Sequence, residues 1–134
     1  MPFTPTWYVE NRVLWMELSD TLMLEDVQAG NAAIVDMIRN TPNKFYLVRD
    51  GRGLRGLDVS PADIARIAIW MQPSKVAGMI LLSGPDSLHL EVAGEVVARM
   101  KRIPAEGAFT LAEVHQRLVE FDPSLADLLP PLNT

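Results

Sequence analysis

The hydrophobic pattern of the chain changes period several times, and the order of these changes predicts an α/β fold. Four short runs rich in aromatic and β-branched residues are typical of strands. These runs are Thr6–Glu10, Val13–Leu18, Lys44–Val48 and Val76–Leu82. Longer segments with apolar residues at helical spacing lie between and after them. Because such an alternation needs helices to cover the sheet, we expect a single-domain α/β fold with a mixed sheet of four to five strands and about four helices.

Turn and capping residues indicate where these elements begin and end. Asn11 tolerates a left-handed backbone, so the first two strands are expected to form a hairpin. Ser19–Thr21 is expected to end the second strand and to offer capping oxygens to the first helix. Gly30 lies on the apolar face of that helix, where a missing side chain favours close approach to the sheet. Ser60 is a strong N-cap, because a proline and an acidic residue follow it at the expected positions.

The central strands and the final helix are predicted from the same kinds of signal. Lys44–Val48 and Val76–Leu82 are expected to be parallel strands linked by a helix over residues 61–72, through a right-handed crossover. A short last strand is expected at Gly107–Phe109. Thr110 then begins the final helix with a capping box.

The chain length fits one domain spanning residues 1–134. Its 134 residues are 49% hydrophobic and 22% charged, which is typical of a folded protein with one core. We expect the core to cover residues 7–121 and a tail to follow over residues 122–134. The tail is too apolar to extend freely into water, so we expect it to pack on its own domain or in a homodimer. Its apolar residues are Leu125, Leu128, Leu129 and Leu132.

Charge and hydropathy limit the classes of partner. The formal net charge of −5 argues against nucleic acid, because phosphate binding needs clustered basic residues. The first residues lack the features of a signal peptide, and the longest apolar stretch, residues 76–82, is too short to span a membrane. A cytoplasmic location is therefore expected.

No residue pattern predicts catalysis, a metal site or a cofactor. The sequence has no cysteine, which excludes disulfides, thiolate metal ligands and cysteine nucleophiles. His89 and His115 are its only histidines, and neither has a second ligand at metal-binding spacing. Gly51, Gly53 and Gly56 formally spell G-x-G-x-x-G, but no helix is predicted to begin at the third glycine. A turn-forming loop is the favoured interpretation there, and the whole protein is interpreted as non-enzymatic.

The predicted loop over residues 50–60 is the best candidate for a functional surface. It follows a central strand, at the sheet edge where open α/β folds tend to place their sites. Its arginines would form a positive spot beside a helix N-terminus that also favours anions. An acidic partner surface, or a phosphate on Ser60, would suit such a spot; an ordinary solvated loop is the alternative. The predicted partner- or anion-binding residues are Arg49, Arg52, Gly53, Arg55, Gly56 and Asp58.

Three segments carry a resemblance to a known family. They are the strand-to-helix step Glu17–Leu22, the strand and loop Phe45–Leu54, and the helix start Phe109–Val114. With the order of elements, they resemble the STAS fold of the anti-sigma-factor antagonists, and more closely the SpoIIAA-like proteins related to STAS and Sec14-type domains. The similarity covers roughly residues 7–121.

The resemblance implies a bacterial interaction or regulatory module without enzymatic activity. STAS antagonists bind a signalling kinase or a sigma-controlling protein, and are switched by phosphorylation at the N-terminus of the helix after the third strand. Ser60 matches that position, although Asp58–Pro61 departs from the family's Asp-Ser-Ser-Gly pattern, and capping the helix is a sufficient structural role for Ser60. Sec14-type relatives imply the alternative, a small carrier that binds an apolar or lipid-like ligand between helices and sheet.

Overall fold

The computed structural model describes residues 2–132, in which five strands and four α-helices follow one another in the order that the sequence predicts. The strands are β1 Phe3–Val9, β2 Val13–Met23, β3 Phe45–Asp58, β4 Val76–Leu82 and β5 Ala105–Ala108. The α-helices are α1 Leu24–Ile38, α2 Pro61–Ile67, α3 Glu91–Met100 and α4 Leu111–Phe121. Short 3₁₀ turns at Leu88–Leu90 and Pro123–Leu125 precede α3 and follow α4.

The five strands form one mixed sheet in sequence order. β1 and β2 are antiparallel, whereas β2, β3, β4 and β5 are successively parallel. The prediction that β3 and β4 are parallel strands linked by a helix is therefore confirmed. Their pairing ends at Asp50, which lies opposite Leu82, the last residue of β4.

Helices cover both faces of the sheet and divide the core into two clusters. On one face, Leu14 and Leu47 pack with buried residues of α1, α2 and α3, such as Ile34 and Val97. On the other face, the strands pack against α4, whose Leu118 is fully buried. Because α4 is the only α-helix contributing buried residues to the second cluster in the described chain, that face of the sheet has less cover.

The hairpin between β1 and β2 turns at the residue that the sequence indicates. Asn11 has a φ of 62°, in the left-handed region that asparagine tolerates. The backbone N–H of Arg12 donates to the carbonyl of Val9 at 2.9 Å and closes the turn.

Strands β2 and β3 extend well beyond their predicted ends. Ser19–Thr21 does not end β2, which continues to Met23, and the glycine-rich segment after Val48 is strand rather than loop as far as Asp58. Each extension gives the other its hydrogen-bonding partner, with Ser19 opposite Gly53 and Thr21 opposite Gly56. The polar residues and glycines of the two segments suggested turns. Because the two segments pair with each other, each adopts an extended backbone instead.

Helix α2 is shorter than predicted, because it ends at Ile67 rather than near residue 72. Trp70 leaves the helix and is buried, and its indole N–H donates to the side-chain oxygen of Asn31 on α1 at 2.7 Å. Burial of this large ring stabilises the connection to β4 without helical geometry.

The first part of the tail packs on its own domain. Leu125 is fully buried beside Val114 and Leu118 of α4. The guanidinium of Arg12 donates to the Asp122 carboxylate at 2.8 Å and to the Ser124 hydroxyl at 2.9 Å. Leu128 and Leu132 stay exposed, so the intramolecular packing accounts for only part of the apolar tail.

Candidate functional site

The extensions of β2 and β3 form a two-stranded parallel ribbon, here defined as residues 19–23 and 53–58. The pairing of β1 with β2 ends at Phe3 and Leu18, and the pairing of β3 with β4 ends at Asp50 and Leu82. Within residues 2–132, the ribbon strands have no other strand partner, and only the backbone N–H of Ser19 bonds outside the ribbon towards β1, donating to the carbonyl of Pro2 at 2.9 Å. The ribbon lies at the carboxyl end of the parallel strands, the edge at which we expected a functional surface.

The ribbon has one buried and one exposed side. Leu22 and Leu54 are almost fully buried in the core under α1 and α2. The residues exposed to solvent are Asp20, Thr21, Met23, Gly53, Arg55 and Asp58. The apolar pair fixes the ribbon to the domain, so its outer side is a defined surface rather than a free loop.

The glycines of the ribbon allow its two strands to lie close together. A side chain at Gly53 would place its Cβ 3.3 Å from the carbonyl oxygen of Leu18, and one at Gly56 would lie 3.1 Å from the Thr21 hydroxyl. No glycine among residues 2–132 has a positive φ. The pattern G-x-G-x-x-G therefore lies in a strand, which differs from both a dinucleotide-binding turn and the turn-forming loop that the sequence suggested.

Arg49 does not reach the surface on which we expected it. Its side chain is 6% exposed and enters the core on the face covered by α3. A Cβ built on Gly94 of α3 would lie 3.2 Å from the Cδ and Nε atoms of Arg49. Its Nη2 donates to the carbonyl of Leu90 at 3.3 Å. Burial lowers the pKa of Arg49, an effect that the nearby Glu91 carboxylate opposes.

Arg52 is half-exposed, and its charge is already paired. Its Nε and Nη2 donate to the two carboxylate oxygens of Asp50 at 3.0 and 2.9 Å, and its backbone N–H donates to the same carboxylate at 3.2 Å. The indole N–H of Trp15 gives Asp50 a further hydrogen bond at 3.2 Å. Hydrogen bonding to Asp50 raises the pKa of Arg52, with burial opposing it.

The three arginines are therefore not brought together as a positive spot. Arg49 is buried on one face of the sheet, Arg52 is neutralised by Asp50, and of the three only Arg55 is exposed without an ion-pair partner in the described chain. Sequence reasoning missed Asp50, whose buried carboxylate organises this region. A signal was present, because an acid directly after a buried strand and two residues before an arginine favours a local ion pair.

Ser60 is exposed, and its hydroxyl accepts a hydrogen bond from the backbone N–H of Asp63 at 3.1 Å. This contact confirms the predicted N-cap of α2. Asp58, which lies opposite Met23 at the end of the ribbon, is also exposed. The ribbon and the start of α2 thus form one continuous stretch of accessible chain.

Two small cavities lie between the sheet and the three helices on the Arg49 side. The first has a volume of about 50 Å³ and includes Arg49 and Gly94 in its lining. The second has a volume of about 40 Å³ and shares five lining residues with the first. The shared residues are Phe3, Met16, Val27, Ile64 and Met71.

His115 and Tyr8 are two further titratable residues, and they contact each other between α4 and β1. The Nε2 atom of His115 on α4 is hydrogen-bonded to the hydroxyl of Tyr8 on β1. Burial lowers the pKa of His115 and raises that of Tyr8. In the part of the chain described by the structure, no group of three or more His, Asp or Glu side chains is placed to hold a metal ion.

Comparison with known proteins identifies the fold. No protein-family model matches the sequence, and no curated protein matches it either. Among solved structures, the chain is similar to an uncharacterized protein of the DUF3478 family from Shewanella loihica PV-4, described as having a SpoIIAA-like fold. The TM-score is 0.65 at 11% sequence identity, and the match covers 87% of this chain and 91% of that chain.

The protein is thus a single α/β domain with a SpoIIAA-like fold, as its resemblance to the STAS and SpoIIAA-like proteins implied. Among residues 2–132, no helix combines the length and apolar character that a membrane crossing requires. At this level of identity the likeness is one of fold, so function has to be argued from this chain's own surfaces.

Proposed function

We propose that the protein is a non-enzymatic interaction module that binds a protein partner through the ribbon and the first turn of α2. The observation that carries the proposal is the ribbon itself, in which β2 and β3 continue beyond their pairing with β1 and β4, so that from Asp20 to Met23 and from Gly53 to Asp58 their outer edges have no strand partner in the described chain. Such a surface offers a partner both exposed side chains and strand edges. The family resemblance favours a signalling kinase or a sigma-factor regulator as the partner.

Arg55 is the residue on which recognition should depend most. It is an exposed cation on an acidic protein, and its charge has no ion-pair partner within residues 2–132. An acidic patch on the partner would complement it, because opposite charges across an interface speed association and exclude wrong partners. Gly53 and Gly56 allow a partner backbone to approach the ribbon between the side chains.

A photo-crosslinking residue at position 55 is expected to capture one host protein, whereas the same residue at Arg39 is expected to capture none. Arg39 is a matched control, because it is an exposed arginine directly after the end of α1, whereas the ribbon joins α1 at its beginning. Arg55→Glu should leave the melting temperature unchanged, since surface charges seldom alter stability by more than about 0.5 kcal/mol. The same variant should reduce recovery of the captured protein severalfold. Equal capture from both positions, or full recovery by Arg55→Glu, would place the interface elsewhere.

The alternative function, a carrier of an apolar or lipid-like ligand, has weaker support. The cavities of about 50 and 40 Å³ are much smaller than the several hundred Å³ that a ligand of that size fills. A lipid-like molecule would need α3 or α2 to move away from the sheet. The nearly filled core therefore favours the interaction module.

We further propose that the protein forms a homodimer through its exposed tail leucines and carries a regulatory phosphate on Ser60. Native mass spectrometry of protein purified from its host is expected to give a dimer with one phosphate per chain and no bound lipid. A double variant, Leu128→Glu with Leu132→Glu, should sediment as a folded monomer with a lower melting temperature than the wild type, because the stabilisation that dimerisation adds is lost while the buried Leu125 stays in place. A monomeric wild type would refute the homodimer, and an unmodified Ser60 would refute the phosphorylation switch. A bound lipid would favour the carrier function.

A further inference from the structure

The end of the domain opposite the ribbon carries a cluster of cations. β3 and β4 begin at this end, each directly after a lysine, and the last turn of α3 and the two residues after it add three more cations. None of the five has an ion-pair partner within residues 2–132. On a chain with a formal net charge of −5, they form a local positive surface, here called the basic end. Its residues are Lys44, Lys75, Arg99, Lys101 and Arg102.

Backbone hydrogen bonds fix the parts of the basic end to the sheet. The N–H of Phe45 donates to the carbonyl of Lys75 at 3.0 Å, so Lys44 and Lys75 directly precede neighbouring, paired strands. The N–H of Met79 donates to the carbonyl of Pro104 at 2.8 Å, which fixes the connection between α3 and β5 beside β4. The cations therefore share the amino end of the parallel strands, whereas the ribbon lies at the carboxyl end.

Two large apolar side chains, Ile69 and Met100, are exposed at the same end. Ile69 is 69% exposed, the largest fraction for any large apolar residue in the described chain, although its neighbours Ala68 and Trp70 are buried. The Trp70 ring stacks at a centroid distance of 6.4 Å on Phe45, the first residue of β3, and so holds Ile69 at the amino end of the strands. Met100 is 52% exposed and has a cation on each side of it in the chain. Apolar side chains held in water beside unpaired cations mark a surface for a partner that is both anionic and apolar.

We propose that the basic end docks on an anionic lipid membrane. In this docking the cations lie against the negatively charged headgroups, and Ile69 and Met100 enter the boundary between headgroups and acyl chains. Each cation near an anionic lipid surface strengthens binding by about fivefold, and burial of the two apolar side chains adds to that attraction. Charge and apolar contact together give reversible binding at the surface, without a segment that crosses the membrane.

A lipid surface fits the basic end better than a nucleic acid does. Nucleic acid would pair with the cations but leave Ile69 and Met100 in water. Single strands are bound by stacking on aromatic rings, and the only exposed aromatic side chain in the described chain, Phe109, follows β5 at the carboxyl end. Because the ribbon and the basic end lie at opposite ends of the strands, the membrane and the proposed protein partner can be bound at once.

The probe is vesicles of phosphatidylcholine and phosphatidylglycerol in equal parts, with vesicles of phosphatidylcholine alone as the neutral control. The full chain is expected to sediment with the anionic vesicles and not with the neutral ones. Raised salt should release it, because screening shortens the reach of the cations. Sedimentation with both kinds of vesicle, or with neither, would overturn the proposal. If the protein binds duplex DNA but not the anionic vesicles, the basic end is a nucleic-acid site and the proposal is wrong.

The orientation of the docked protein can be measured because the chain has no cysteine, so a single introduced thiol can carry an environment-sensitive dye. A dye attached at Met100→Cys is expected to show a blue-shifted and stronger emission on the anionic vesicles, because it leaves water. A dye at Met23→Cys, an exposed position of the ribbon, is the control, and its emission should not change. The reverse result, or the same shift at both positions, would place the membrane on another surface.

Lys75→Gln should weaken binding to the anionic vesicles by about fivefold, because one cation is lost from the docking surface. Arg55→Gln is the matched control, since it removes an exposed, unpaired cation of the ribbon, and its affinity should equal that of the wild type. Ile69→Ser should weaken binding severalfold through the lost apolar contact, whereas Leu88→Ser, at an exposed position before α3 at the carboxyl end, should not. All four variants should keep the melting temperature of the wild type, because the replaced side chains are exposed. Unchanged vesicle affinity in Lys75→Gln, or in Ile69→Ser, would show that the membrane does not bind the basic end.

Discussion

Replacing Asp50 with alanine is expected to lower the free energy of unfolding by about 3 kcal/mol. The Asp50 carboxylate is buried and accepts four hydrogen bonds, one from the Trp15 indole and three from Arg52. Alanine leaves the buried indole N–H of Trp15 without its acceptor and frees Arg52 from its fixed position. Urea unfolding, followed by tryptophan fluorescence, measures the loss.

Asp36→Ala is the matched control for this prediction. Asp36 pairs with Arg39 at 2.9 Å, the same distance as in the pair between Asp50 and Arg52. Both side chains of the Asp36–Arg39 pair are largely exposed, however. Exposed pairs contribute about 0.5 kcal/mol or less, so this variant should unfold almost like the wild type. Asp50→Asn should lie between the two, because an amide oxygen can still accept from Trp15. Equal stability of Asp50→Ala and Asp36→Ala would mean that burial of the carboxylate does not matter.

The main elements of the fold could be predicted because their signals are local. Asn11 alone indicates the hairpin turn, and Ser60 followed by Pro61 indicates the start of α2. A strand such as Val76–Leu82 is apolar at every position but its glycine, which is typical of a strand covered on both faces. Each of these features depends on a few neighbouring residues, so a single sequence is enough to reveal it.

The ribbon could not be predicted because its two strands are stabilised by each other. Ser19–Thr21 and Gly51–Gly56 are each rich in residues that favour turns, and neither has strand character alone. Parallel pairing brings Gly53 against Ser19 and Gly56 against Thr21, contacts between residues more than thirty positions apart. Leu22 and Leu54 were the available signal, because isolated leucines in polar stretches often mark a buried side.

The candidate site was only partly predictable for a related reason. Arginine is rarely buried, so composition placed Arg49 at the surface together with Arg52 and Arg55. In the structure, Arg49 and Asp50 point to opposite faces of the sheet, because successive side chains of a strand alternate. The sequence placed the segment after the central strand at the carboxyl edge of the sheet, where the structure also has it, but the face and partner of each charged residue depend on packing that only the structure provides.

Gly30→Ala is expected to destabilise the protein by about 2 kcal/mol, although alanine is the better helix former. A Cβ at position 30 would lie 2.2 to 2.5 Å from three atoms of the Phe3 ring on β1. The gain of about 1 kcal/mol in helix propensity is smaller than the cost of overpacking a rigid aromatic ring in the core. This contact confirms that Gly30 serves the close approach of α1 to the sheet.

A double-mutant cycle with Phe3→Ala separates the steric cost from the helical gain. Without the Phe3 ring, the Gly30→Ala substitution should stabilise the protein by up to about 1 kcal/mol, so its effect changes sign between the two backgrounds. Ala33→Gly, at an exposed position of the same helix, is the control and should cost about 1 kcal/mol through propensity alone. Denaturant unfolding of the four members of the cycle gives the coupling free energy between Gly30 and Phe3. The same loss for Gly30→Ala with and without the Phe3 ring would mean that the helix, and not its contact with β1, requires glycine.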